Sequence, residues 1–132
     1  MKRAMLLVTG LLVVSFAAAC GMFESKLTPG REVFAAIGTD DWHHGTIMKD
    51  CPGGLSVKLD GDVEGCYPKE KIVLDQPPQA GEIKPGVRVL AQFQNGNYLP
   101  GVVKSIVQTK YNIAFVGGEL GVDSLEQLRL LP

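Results

Sequence analysis

Apolar and polar residues alternate with a period of two in short runs. Val33, Ala35 and Ile37 alternate with Glu32, Phe34 and Ala36, and Val87, Val89, Ala91 and Phe93 with Arg88, Leu90 and Gln92. Period two over seven residues predicts a half-buried strand in each place. The clusters Thr39-Asp40-Asp41 and Asn95-Gly96-Asn97 predict turns. Second strands follow over residues 42–49 and 98–106. Third strands carry Leu55, Val57 and Leu59, or Tyr111, Ile113 and Phe115, on one face. Asp60-Gly61-Asp62 and Val116-Gly117-Gly118 predict tight hairpins. Short fourth strands run through Cys66 or Val122. Brief turns at residues 68–71 and 124–127 precede the last apolar pieces, 72–74 and 128–130.

The two series are one unit written twice. Residues 29–75 align with residues 85–131 at a shift of 56, without a gap over 47 positions. Nine pairs are identical, among them Gly30/Gly86, Gly45/Gly101, Gly61/Gly117 and Gly65/Gly121. Conservative pairs include Phe34/Leu90, Trp42/Tyr98, Ile47/Val103 and Val57/Ile113. Paired glycines weigh most, because they mark backbone positions that a side chain disfavours. Five short strands in under fifty residues need closure to avoid open edges, which predicts a small barrel for each copy. The expected fold is all-β, with two five-stranded barrels in tandem. The expected divisions are 29–75, a linker at 76–84 with Pro77 and Pro78, and 85–131.

The start of the chain has a different character. Lys2 and Arg3 precede sixteen uncharged residues, 4–19, which close on Ala17-Ala18-Ala19-Cys20. A charged start, an apolar stretch and small residues before a cut site predict a secretory signal peptide over 1–19, taken as helical. An uncleaved anchor is the alternative, since residues 4–23 are long enough to span a bilayer. Ala17-Ala18-Ala19-Cys20 resembles the lipobox of bacterial lipoproteins, although Ala17 stands where that family usually has Leu. The resemblance implies acylation of Cys20, a tether over 20–28 and attachment to the membrane through lipid. With Gly21 after the cysteine, it implies the periplasmic face of the outer membrane in a Gram-negative cell.

Charge then narrows the partner. Removing Lys2 and Arg3 from 13 basic residues leaves 11 against 14 acidic ones, a net charge of −3. A mildly acidic chain is a poor partner for nucleic acid or anionic headgroups.

Residues 86–93, 97–103, 111–118 and 125–130 resemble a Tudor domain of the SH3-like barrel class, and the first copy is similar more loosely. The resemblance places aromatic-cage positions near Ile37, His43 and Leu59 in copy one, and near Phe93, Leu99 and Phe115 in copy two. Copy one has no aromatic carbocycle there. Trp42 and Tyr98 stand out of phase with the core residues of their strands. Trp42, His43, Phe93, Tyr98 and Phe115 are therefore the candidate binding surface, with copy two favoured for any shallow pocket. Sealing a barrel end or the contact between copies is the alternative role for Trp42 and Tyr98.

No metal or cofactor is expected. His43-His44 with Cys51 and Cys66 suggests a metal set, but adjacent strand residues face opposite ways. His43 and Cys51 would also lie roughly 26 Å apart along an unbroken strand. Asp60, Asp62 and Glu64 alternate like part of a calcium loop without its remaining ligands. Cys51 and Cys66 are an even pair in an exported chain, which favours a disulfide worth ~3 kcal/mol. Buried free thiols are the alternative, and a third strand between the two positions is an obstacle. No nucleophile elbow or triad pattern occurs, so catalysis is not expected. The expected function is a non-catalytic, lipid-anchored envelope module that binds or scaffolds a protein or peptide. A cell-wall peptide binder and an accessory subunit of an envelope enzyme are the alternatives.

Overall fold

The computed structural model describes residues 26–132. The signal-peptide segment and Cys20 lie outside the described residues. None of the described helices is long and apolar enough to cross a membrane.

Ten strands form two five-stranded antiparallel sheets. The first holds β1 (Glu32–Ile37), β2 (Asp41–Cys51), β3 (Gly54–Leu59), β4 (Val63–Tyr67) and β5 (Ile72–Leu74), in the order β4-β3-β2-β1-β5. The second holds β6 (Arg88–Gln92), β7 (Tyr98–Val107), β8 (Lys110–Phe115), β9 (Leu120–Asp123) and β10 (Leu128–Leu130), in the order β10-β6-β7-β8-β9. The second order repeats the first when read from the other end. A single 3-10 turn, Lys69–Lys71 or Leu125–Gln127, carries the chain from the fourth strand back beside the first. That return curls each sheet into a barrel-like body.

The curl has a local cause. The β2–β3 register shifts between Ile47 and Lys49, and the β7–β8 register between Val103 and Ser105. These are counterpart positions, so both copies carry the same bulge, which bends and twists the strand. Just before it, Gly45 and Gly101 let the second and third strands close up. A Cβ at Gly45 would sit 2.6 Å from the Lys58 carbonyl oxygen, and one at Gly101 would sit 2.8 Å from that of Ala114.

Each barrel has its own core. Val33, Ala35, Ile47, Leu55, Val57, Leu59 and Ile72 fill the first; Val89, Ala91, Val103, Tyr111, Ile113, Phe115 and Leu128 fill the second. Leu27 and Ile83 pack against these cores from the preceding segments. They too are 56 residues apart, so the repeat begins before residue 29.

The first strands depart from the expected half-burial. Val33 to Ala36 are all buried, as are Val89 to Ala91. Their second faces are covered by the other copy: Phe34, Val73, Leu90 and Leu131 form a third buried cluster, with Trp42 and Tyr98 packed on it. β2 lies against β7, and β5 against β10. Counterpart thus meets counterpart across a local two-fold relation.

Cys51 and Cys66 form a disulfide, with Cα atoms 6.1 Å apart. The intervening strand is no obstacle, because β3 only begins there. Gly54, paired with Cys51, has no side chain to hold off the backbone at Tyr67 and Pro68.

Candidate functional site

Strand parity builds the site. Glu32 and Phe34 share the outer face of β1 with their cross-strand neighbours. His44 pairs with Phe34 on one side, and Val73 pairs with Phe34 on the other. Trp42 and Asp75 lie two residues along from these partners, on the same face. In copy two, Leu90 pairs with Arg129, and Gln92 pairs with Tyr98. Packing these outer faces together leaves a cleft of about 660 Å³ at their margin. Trp42, His43, Asn97, Tyr98 and Leu99 line it, together with Phe34, His44, Asp41, Asp60, Asp75 and Arg129.

The aromatic groups are held from several sides. The Phe34 ring lies 4.9 Å from that of Tyr98 and 5.4 Å, edge-on, from that of His44. The Arg129 guanidinium sits 5.0 Å from the centre of the Tyr98 ring. Burial raises the Tyr98 phenol above its ordinary pKa. Arg129 pulls the other way, while Asp75 and Asp123 reinforce the rise. The Trp42 indole nitrogen is buried and has no hydrogen-bond partner among the described residues.

A charged chain runs beneath the rings and joins the copies. Arg129 Nε donates to Asp75 Oδ1 at 2.7 Å, and its Nη1 donates to the carbonyls of Glu126 and Leu128, each at 2.7 Å. Asp75 Oδ2 lies 3.2 Å from His44 Nε2, and Glu32 Oε1 lies 3.0 Å from the same nitrogen. His44 Nδ1 meets Asp60 Oδ2 at 2.9 Å. Burial lowers the pKa of His44, but the bond to Asp60 and the charges of Asp60, Asp75 and Glu32 outweigh it, and the net shift is upward.

The structure brings together Trp42, His43 and Tyr98 from the sequence candidates. It does not bring Phe93 and Phe115 to them. Those two rings stack edge-on at 4.9 Å, Phe115 within the second core and Phe93 against it. The cleft therefore belongs to both copies and not to copy two alone. Of the cage positions in copy one, Leu59 is core and Ile37 is exposed. His43 and His44 do face different surroundings: His43 pairs with Asp41 at 2.9 Å, and His44 faces three carboxylates. Both thiols are taken up in the disulfide. Sequence reasoning missed Glu32, His44, Asp75 and Arg129 as a group. Their only shared signal was polar residues on the non-core phase of their strands.

No family model matches the chain, and no curated protein matches it. Among solved structures, the chain is similar to AGD34 of AGDP1 from Arabidopsis thaliana. The two are 19% identical, with 86% of each chain covered and a TM-score of 0.51. The tandem Agenet domain 3-4 of ADCP1 is also 19% identical, covering 86% of this chain and 84% of that one, with a TM-score of 0.49. The likeness is one of fold. The chain is an all-β tandem of two small Tudor-like barrels.

Proposed function

We propose that the chain is a non-catalytic, lipid-anchored envelope module that captures a protein or peptide in the cleft between its barrels. The observation that carries this reading is the cleft itself, with half-buried Trp42 and Tyr98 on its walls. Asp41 and Asp60 at the margin favour a neutral or basic segment over nucleic acid. The lipobox-like Ala17-Ala18-Ala19-Cys20 supports the anchor, and Gly21 favours the periplasmic face of an outer membrane.

The test is a photo-crosslinker at Leu99 in the full chain, read in intact cells by mass spectrometry, with purified peptidoglycan as a parallel bait. Trp42→Leu removes the aromatic wall, and His43→Ala opens the margin. Both are expected to stay folded and to lose capture. Undiminished capture by both variants sinks the cleft reading. Capture by peptidoglycan alone would make the partner a cell-wall peptide. Cys20→Ser tests the anchor separately, through release from the membrane fraction.

A further inference from the structure

We propose that Glu32, His44 and Asp75 form a site for one divalent transition-metal ion, with zinc as the representative. His44 and Asp75 also line the cleft, but the metal site does not require a peptide to bind there. Its basis is the arrangement of atoms around one nitrogen. His44 Nε2 lies 3.0 Å from Glu32 Oε1 and 3.2 Å from Asp75 Oδ2, and the three ligand atoms all lie within 4.8 Å of one another. Tetrahedral zinc holds nitrogen and oxygen ligands at about 2.0–2.2 Å, which separates neighbouring ligand atoms by roughly 3.3–3.5 Å. The two spacings to Nε2 need only a few tenths of an ångström of opening. Glu32 can supply it, because its side chain is 65% exposed at the sheet margin.

Two of the three ligands are already oriented from behind. Asp60 Oδ2 takes the other ring nitrogen of His44 at 2.9 Å, which leaves Nε2 facing the carboxylates. This is the carboxylate–histidine arrangement that fixes the tautomer at metal sites. Arg129 binds Asp75 through Oδ1 and so leaves Oδ2 turned to His44. A single N–H on Nε2 must otherwise serve two carboxylates, and a dication in its place satisfies both. One imidazole with two carboxylates suits zinc or a neighbouring first-row ion more than magnesium or calcium, which prefer all-oxygen sets. With three protein ligands, the fourth position is left to water or to a ligand group.

The repeat supplies an independent contrast. At a shift of 56, Glu32, His44, Asp60 and Asp75 correspond to Arg88, Pro100, Val116 and Leu131. All four coordinating or orienting groups occur in one copy, and none has a coordinating counterpart in the other. A role in the internal fold common to both barrels would call for them in both copies.

The experiment is a zinc competition titration against a chromophoric chelator, on the untagged full chain in detergent solution. Wild type and Glu119→Gln, a distant exposed carboxylate, are expected to bind one zinc per chain alike. Asp60→Asn should weaken binding roughly 10–100-fold, as loss of an orienting partner does. His44→Gln should weaken it further. If His44→Gln does not fold by far-UV circular dichroism, Glu32→Gln takes its place. Zinc uptake by wild type no greater than by His44→Gln or Glu32→Gln would overturn the site. The cluster would then be an imidazolium shared among carboxylates.

Discussion

Arg129 and Asp75 offer a sharp test of how the two barrels are joined, because the repeat writes its own control. Their counterparts are Val73 and Leu131, so the same positions are apolar in the other copy. The perturbation is the pair Asp75→Leu and Arg129→Val, made singly and together. The Arg129 side chain is only 11% exposed and that of Asp75 is 21% exposed, so both charges are largely withdrawn from water. Asp75→Leu strands a guanidinium that keeps its two carbonyl acceptors, at a cost of about 2–3 kcal/mol. Arg129→Val strands those carbonyls and the contact with Tyr98, at a similar cost. The double variant leaves no unpaired charge at the contact, and its cost should fall short of the sum by about 1.5–3 kcal/mol, the worth of a charge-assisted bond. Urea denaturation measures it, with chelator present and far-UV circular dichroism covering both barrels. Trp42 is the chain's single tryptophan and lies at the contact, so its fluorescence reports locally. Costs that add to within about 0.5 kcal/mol would refute a direct coupling between the two side chains.

Cys51→Ala with Cys66→Ala should cost about 3 kcal/mol by equilibrium denaturation, and added reductant should then change nothing further. Stability indifferent to both would remove the disulfide from any structural role. Gly101→Ala, which drives a Cβ against the Ala114 carbonyl, should lower the melting temperature by the equivalent of about 1–3 kcal/mol. Burial raises the pKa of Asp123 to about 6, and its Oδ2 has no partner among the described residues. The folded state therefore binds the proton more tightly than the unfolded chain, and stability falls as pH rises from about 4 to about 6. Asp123→Asn should remove that slope, so its advantage over wild type grows across the window by up to about 3 kcal/mol. A constant difference between the two proteins from pH 4 to 7 would contradict it.

The strands and turns were legible because each is a local property. Period-two alternation, turn dipeptides and paired glycines are written in neighbouring residues, and the shift of 56 let each copy corroborate the other. The second buried face of β1 and β6 was not legible. Phe34 and Leu90 occupy the polar phase of their strands, and only the other copy explains why an apolar residue stands there. The cleft was half legible. Trp42 and Tyr98 stand out by phase, but Phe93 and Phe115 join them only through the cage positions of the Tudor resemblance, and the barrel turns those rings inward. The Glu32–His44–Asp75 group was invisible for a further reason. It depends on β5 crossing back to lie beside β1, a tertiary register that no local pattern encodes.

A contact between like faces has no inherent sense of which molecule supplies each half. Copy one of one chain and copy two of another would present the same Phe34, Trp42, Leu90 and Tyr98 to each other, and neither barrel would have to unfold to make the exchange. What keeps the pairing within a chain is the short path from β5 to β6. Pro77, Pro78 and the Ala80–Glu82 turn bridge it, and the turn is pinned by the Gln79 amide donating to Glu82 at 2.8 Å. A connection of that length holds the partner face at an effective concentration in the millimolar range. Whether the chain is a monomer or an exchanged dimer is therefore governed by those few residues, while the contact itself is the same in both.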